Sequence, residues 1–400
     1  MDVRLFQNSP TGELVPISGT SHQGDWRHFA FVPEPVTDAS PDLTADAYRA
    51  VARARAALAA LDATAARLPN PRLFRQTALR IEAQATAALE GTYEPLARVI
   101  AEEPHEDQDP SLREVLNFVT VAERAYEWNE AGRPWSIPGL AELHRLLLAG
   151  TRSERAYHGI RRVQVVIGRR DDAPPTAHPI EAARFVPHPP GDDLTARVRD
   201  LLDWMQTDHS ATIDPVVAAA IGHYTFEALH PFHDGNGRIG RLFIVLQLHL
   251  AGVLTEPTIT VSPWFETRRQ LYYDALLGVS TTGDWSAWVT LFAEGLAVSA
   301  DRARTSMLAL TEVQSQLKEQ LQRSSLRAAN ARLLIDLAVA RPTFTVNQAA
   351  EALGIKYAGA KRLIDKMVAL EILAEYGERN YNRRFHAPQV LDVLFRGSLR

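Results

Sequence analysis

Cysteine is absent from the 400 residues, so no disulfide staples this chain and no thiolate can hold a metal; a reducing compartment suits such a composition. Long apolar runs are missing as well. Leu242 to Leu254 is among the longest, and it falls short of the roughly 18 to 20 residues needed to cross a bilayer. The opening residues, MDVRLFQNSP, have no basic stretch leading into an apolar one, which argues against a secretory leader. These absences point to a cytoplasmic protein without a membrane partner.

What is present is the composition of a folded protein, 46% hydrophobic and 23% charged. Four hundred residues exceed one ordinary core, so two or three domains are expected. The net charge of −5 is spread unevenly. From Arg327 to Arg400 there are 12 Lys and Arg against 7 Asp and Glu, which makes a basic tail on an acidic body and hints at nucleic-acid contact.

Alanine-rich segments with Leu and Ile at helical spacing dominate, and the fold class read from them is mainly α. Residues 1 to 40, rich in Pro, Ser and Gly, read as an irregular arm. Helices follow over Asp42 to Leu68, broken by Asn70-Pro71, and over Leu73 to Glu90, stopped by Gly91. Asp109 to Trp128 and Ile137 to Leu148 continue the pattern. Between Gly159 and Pro190, the β-branched run Arg162 to Gly168 and the run Ala183 to Pro187 read as a β-hairpin, with a long surface loop as the alternative. Asp214-Pro215 makes a cap and first turn for a helix to about Leu229. Pro231 ends it, and the next helix starts near Asn236, turning Leu242, Val245, Leu246 and His249 inward. A charged, Gln-rich helix from about Ala300 to Gln322 reads as a connector.

The stretch between those two helices, HPFHDGNGRIGR at 230–241, poses an electrostatic problem. Arg238 and Arg241 fall in the first turn of a helix, where the macrodipole disfavours cations, and their i, i+3 spacing makes them repel. A bound anion resolves it: Gly235 and Gly237 permit close backbone approach, the free N–H groups of the helix start converge on one spot, and two guanidinium groups add donors suited to phosphate. Asp234 supplies the hard oxygen that Mg²⁺ prefers, and His230 is placed to take a proton from a hydroxyl. A His230/His233/Asp234 metal site is the competing arrangement, against which Pro231 prevents the helical turn that would align both imidazoles.

The run His230-Pro-Phe232-His-Asp234-Gly235-Asn236-Gly237-Arg238-x-x-Arg241 resembles the Fic-domain signature, with every specified position filled. The resemblance implies a Fic-type helical bundle that transfers AMP from ATP to a Ser, Thr or Tyr hydroxyl of a protein. His230 would be the general base, Phe232 the core anchor of the loop, and Asp234 the Mg²⁺ ligand. Gly235, Asn236 and Gly237 would form the anion hole, and Arg238 and Arg241 would hold the terminal phosphates. Glycine at 237, where the Doc-like branch has lysine, points to AMP transfer rather than phosphorylation. Thr86-Ala-Ala-Leu-Glu90-Gly91 is similar to the family's inhibitory helix motif, so Glu90 would neutralise Arg241 in place of the γ-phosphate. By itself that stretch is a helix end with a solvated glutamate.

The hairpin, through Val165, Val166, Ile167 and Gly168, resembles the family's target-docking flap, although His188 stands where proline is usual. Ser262 to Phe265 and Trp285 to Trp288 look like later core helices. Tyr272 and Tyr273 would either flank adenine or pack in the core. The basic tail, with helices over Phe344 to Gly354 and Tyr357 to Leu370 and a hairpin over Ile372 to Phe385, resembles a winged helix-turn-helix. Its Lys356, Lys361, Arg362 and Lys366, with Arg383 and Arg384 on the wing, would meet DNA, or the module would serve dimerisation or docking.

The expected organisation is therefore 1–108 with the inhibitory helix at about 73–91, a catalytic core over 109–300, a connector over 301–326 and the winged module over 327–400. ATP and Mg²⁺ are the implied cofactors. The partners implied are a hydroxyl-bearing protein, a second copy of the chain and DNA. A DNA-binding regulator with a nucleotide-sensing or inactive Fic domain, and an enzyme that removes AMP, are the other readings.

Overall fold

The computed structural model describes residues 1–21, 24–68, 70–103, 108–154, 158–326, 329–377 and 383–398. The irregular arm expected over residues 1 to 40 is instead a hairpin. Gly12–Ser21 (β1) and Gly24–Pro33 (β2) pair antiparallel along their whole length, from Gly12 opposite Pro33 to Ser21 opposite Gly24. Along β2, Trp26, His28 and Ala30 alternate with the exposed Arg27 and Phe29, the period of a half-buried strand. The Pro, Ser and Gly content masked that alternation. Phe31 closes the base, its ring 5.7 Å from that of Phe185.

Thr44 caps the first long helix, Ala45–Ala65 (α1), by accepting from Ala47 N–H. Arg75–Leu89 (α2) follows, then the short Leu96–Ala101 (α3), and then Pro110–Glu130 (α4) and Ile137–Leu148 (α5), each with a side-chain cap and proline in its first turn. Ile167–Arg169 (β3) and Ala183–Phe185 (β4) pair antiparallel, with the one-turn helix Pro179–Ala182 (α6) between them. This hairpin is shorter than the sequence suggests. Only Ile167 and Gly168 of the four flap residues lie in the strand; Val165 and the exposed Val166 precede it. Asp192–Gln206 (α7) leads to the central pair, Pro215–Leu229 (α8) and Asn236–Leu250 (α9), which are buried on nearly every side. Asp214 caps α8 as expected. Leu242, Val245 and Leu246 are interior, whereas His249 is half-buried and bonded to Asn129.

Ser262–Glu266 (α10) and Arg269–Thr282 (α11) cover the pair. No separate connector follows: a single 39-residue helix, Trp285–Arg323 (α12), starts in this bundle and runs to the C-terminal module, burying Met307, Leu310, Leu317 and Leu321 along the way. The tail then folds as Ala329–Ala340 (α13), Phe344–Thr345 (β5), Val346–Leu353 (α14), Tyr357–Ala369 (α15), Ala374–Tyr376 (β6), Arg384–His386 (β7) and Pro388–Ser398 (α16). Its sheet has the order β5-β7-β6. A capping box between Thr345 and Gln348 starts α14 one residue after Phe344–Thr345, which is why these two residues are strand rather than helix. Gly354, at φ 62°, ends it in the left-handed conformation.

Arg384 does not stand out as a wing cation. It donates to the Thr343 hydroxyl at 3.0 Å and approaches Glu103 at 3.8 Å, so it fastens this module to the α3 region. The Thr343 hydroxyl in turn donates to Ile100 O, and the Tyr376 hydroxyl donates to Ala97 O. Arg383 pairs with Glu375. Most of the turn between β6 and β7 lies outside the described residues.

Candidate active site

His230 is the residue after α8 and has φ 49° and ψ 61°, a left-handed conformation uncommon without glycine. Pro231 cannot continue the helix, and Arg161 holds the bend. Its Nε donates to His230 O at 2.8 Å, its backbone N–H to Pro231 O at 2.8 Å, and its other guanidinium nitrogens to the carbonyls of Val163, His188 and Leu229. Facing only carbonyls, the buried Arg161 has its pKa pushed down to about 10 by burial. The same side chain thus ties the loop after α8 to the segments at 163 and 188 on either side of the hairpin. Burial first, and the Arg161 charge second, bring the His230 imidazole down to about 4, so it is neutral near pH 7 and able to accept a proton.

Phe232 is fully buried and stacks on His144 with centroids 4.0 Å apart and planes 7° from parallel. His144 bridges the loop in two directions: Nε2 donates to Asp234 O at 2.9 Å, and Nδ1 accepts from Gly159 N–H at 3.2 Å. That pattern assigns the neutral Nε2–H tautomer, and burial, which lowers His144 to about 4, keeps it neutral. The Asn236 side chain turns back onto the loop, accepting from Phe232 N–H and donating to Phe232 O. Its amide is a clamp on the loop, which leaves only its backbone N–H at the helix start.

Gly235 sits at φ 84° immediately before α9. Ile239 is the first residue of that helix to bond back, to Gly235 O, so the N–H groups of 236 to 238 have no intrahelical acceptor. Gly237 permits a close approach: a Cβ there would lie 2.0 Å from Glu90 Oε1. Arg238 and Arg241 are each only 1% exposed. Arg238 donates to Glu114 Oε1 at 2.7 Å and to Asp234 Oδ1 at 3.1 Å. Arg241 donates to Glu90 Oε1 at 2.5 Å, to the Thr86 hydroxyl at 2.8 Å and to Thr86 O at 3.2 Å. Burial alone would raise the Glu90 carboxyl, but the charge and hydrogen bond of Arg241 prevail and hold it below its usual range. The structure starts α9 at Asn236, so Arg238 lies in its first turn and Arg241 in its second, and the two charges are met by three carboxylates, from α4, the loop and the end of α2.

Glu90 stands at the C-terminus of α2, and that helix end is fastened by the core. Arg269 donates to Ala88 O and the Tyr273 hydroxyl to Leu89 O, beside the Arg241 bond to Thr86 O, so two cations and a hydroxyl satisfy its last carbonyls. Tyr272 is buried, with its hydroxyl 2.8 Å from His223 Nε2, and it also borders the adjoining cavity. A cavity of about 400 Å³ opens between this helix end and the flap. Glu90, Glu227, His230, Gly237 and Arg241 line it, together with Ile167 and Gly168 of the flap and with Tyr272 and Tyr273. Val165 and Val166 sit outside it.

Asp234 accepts from the Ser153 hydroxyl at 2.7 Å through its other oxygen, and Arg238 and Ser153 hold it below its usual range against the effect of burial. His233 is exposed, and among the described residues no group of three or more His, Cys, Asp or Glu could hold a metal ion. The sequence alone brought forward neither Arg161's hold on the loop nor His144, Glu114, Ser153 and Arg269. All five lie far from the motif in the chain. The arginine pair was the available signal for Glu114, since two buried guanidinium groups need more than one carboxylate.

Residues 134–248 match the Fic/DOC family, and residues 48–127 match the Fic/DOC family N-terminal model. Over 167 residues the chain is 32% identical to protein adenylyltransferase fic-1 of Caenorhabditis elegans, covering 42% of this chain and 28% of that one. Over 159 residues it is 31% identical to protein adenylyltransferase Fic of Drosophila yakuba, covering 40% and 27%. The chain thus spans less than a third of the length of these curated relatives. Its fold is similar to the crystal structure of a Fic family protein from Desulfovibrio desulfuricans G20, with a TM-score of 0.51 and 22% identity over 87% of this chain and 98% of that one. Both halves of the site therefore fall within segments that match the Fic/DOC family, Glu90 in the N-terminal one and the whole loop from His230 to Arg241 in the other.

Proposed function

We propose that this protein is an adenylyltransferase that moves AMP from ATP to a Ser, Thr or Tyr hydroxyl of a protein, and that Glu90 holds it in an inhibited state. The observation that carries the reading is the Glu90–Arg241 ion pair inside the cavity that also holds His230. A carboxylate already occupies the place that a terminal phosphate would take, on the guanidinium best placed to receive it.

In the reaction, the target hydroxyl oxygen attacks the α-phosphorus and the bond to the β-phosphate oxygen breaks. The hydroxyl proton passes to His230, and pyrophosphate leaves. The N–H groups at the start of α9, with Arg238 and Arg241, stabilise the charge that develops on the departing phosphates. Asp234 is a single partly exposed carboxylate beside an anion site, which fits Mg²⁺ arriving with its nucleotide, since that ion commonly takes one or two carboxylates and completes its shell with phosphate and water. When bound, Mg²⁺ would neutralise phosphate charge there. Val165 and Val166 precede β3 without strand pairing of their own and would receive the target segment as an added strand.

The C-terminal module, with its helix, turn, helix and three-stranded sheet, is read as a winged helix. Lys356, Arg362 and Lys366 are exposed there, while Lys361 is paired with Asp365. That face supports a second reading, a DNA-binding regulator whose nucleotide cavity is a sensor. Dimerisation through this module and removal of AMP by the same site are compatible with the first.

The test is mass spectrometry of lysate proteins incubated with ATP and Mg²⁺ and either Glu90→Gly or Glu90→Gly/His230→Ala. AMP on Ser, Thr or Tyr with the first, and its disappearance with the second, is the expected outcome. Modification by both would remove His230 from the chemistry, and modification by neither would favour the regulator.

A further inference from the structure

One acid in the nucleotide cavity has no assigned part. Glu227 lies on α8 one turn before His230 and lines the cavity together with Gly237 and Arg241. Its Oε1 is interior and has no hydrogen-bond partner. Its Oε2 is 3.8 Å from His230 Nδ1, beyond hydrogen-bond reach, and that nitrogen is unpartnered too. The bonds of the nearest guanidinium, Arg241, go to Glu90 and Thr86 instead. A buried carboxylate without a partner is costly, and the usual resolution is for the group to stay protonated. A carboxyl in that state is a hydrogen-bond donor, and here it borders the space where phosphates are to bind.

We propose that Glu227 is a specificity residue of the nucleotide cavity, a neutral carboxylic acid that donates its proton in a hydrogen bond to a polyphosphate oxygen. This rests on the nucleotide reading above and goes beyond it: the site recognises its anion with a protonated acid as well as with arginines. Ionised, the same group would repel the triphosphate between His230 and Arg241.

The surroundings agree. Burial pushes the Glu227 carboxyl up to about 8; Arg241 from α9 opposes this and Glu90 from α2 adds to it. The other titratable groups facing it are neutral across the relevant range. On α8, burial brings His223 down to about 3 and His230 down to about 4. On α11, burial pushes Tyr273 up to about 12 and Tyr272 higher still. Burial thus brings the Glu227 carboxyl into the range near neutral pH, to about 8.

The experiment is calorimetric titration of ATP with Mg²⁺, and separately of adenosine, into the full-length Glu90→Gly protein from pH 7 to 9.5. Removing Glu90 frees Arg241 and moves the inflection below that of the wild type. The Kd for ATP is expected to weaken by up to about tenfold per pH unit above the inflection, because the bound form keeps its proton and the free form loses it. Adenosine, which has no phosphate, shows no such slope. Adding Glu227→Gln preserves an N–H donor and abolishes the slope. Adding Glu227→Met, of similar size but without a donor, weakens ATP about tenfold at pH 7 and leaves adenosine unchanged. An undiminished slope in the glutamine variant, an equal slope for adenosine, or unaltered ATP affinity in the methionine variant would overturn the proposal while leaving the nucleotide site intact. Absence of any ATP binding by the Glu90→Gly protein would take down the nucleotide reading and this proposal with it.

Discussion

Arg238 and Arg241 open the same helix, three residues apart and equally buried, yet the regions that receive them are of different kinds. On the α4 side, Arg238 meets Glu114 and Asp234, two carboxylates of the bundle and its own loop, and Glu114 is steadied by the Thr92 hydroxyl at 3.2 Å. On the α2 side, Arg241 meets one carboxylate, from the residue after a helix end, with the side chain of Glu90 still 32% exposed. The first arrangement over-compensates its cation and holds it in place from two sides. The second balances its cation with a group that can turn away into solvent. An autoinhibitory contact requires this asymmetry, because a carboxylate locked on both sides could not yield to phosphate.

The largest effect that tests this asymmetry is on stability. Replacing Arg238 by Ala leaves two carboxylates, Glu114 and Asp234, facing each other without their shared cation and is expected to cost roughly 2–3 kcal/mol. Arg241→Ala strands only Glu90, which can reach water, so about 1–2 kcal/mol is expected there. Thermal denaturation of the two variants side by side checks the contrast, and equal losses would break it. A smaller effect sharpens it. Thr86→Val removes the hydroxyl that receives Arg241 Nε and should cost about 1 kcal/mol while raising basal AMP transfer several-fold in a labelled-ATP assay, because the inhibitory arm is loosened. Loss of stability with no gain in transfer would make Thr86 a packing residue only.

Where local chemistry dictates the backbone, the sequence was a good guide. Asp214-Pro215 starts α8, Pro231 stops it, and Gly235 opens α9, each at its own position. The motif also carried the arginines and, through their repulsion, the need for a counter-charge. Apart from the Glu90–Arg241 pair, which the family resemblance implies, contacts between distant segments were not legible: Arg161 reaches the loop across 69 residues, and His144 stacks under Phe232 across 88, with nothing in either neighbourhood to announce it. The β1–β2 hairpin was hidden for a different reason, since Pro16, Gly19 and the serines suppress propensity while packing against Phe185 and the flap decides the outcome. Arg384 looked like a wing cation because charge in a sequence carries no direction, and its partner Glu103 is almost 300 residues away.

The central claim is that Glu90 and a terminal phosphate compete for Arg241. Its most direct test is the rate of AMP transfer by wild-type protein and by Glu90→Gly at the same ATP and Mg²⁺ concentrations. A coupling of 1–3 kcal/mol between inhibitory contact and productive nucleotide binding predicts a rise of about 5- to 150-fold in the variant. Equal rates would contradict the account, since the carboxylate on Arg241 would then hold nothing back.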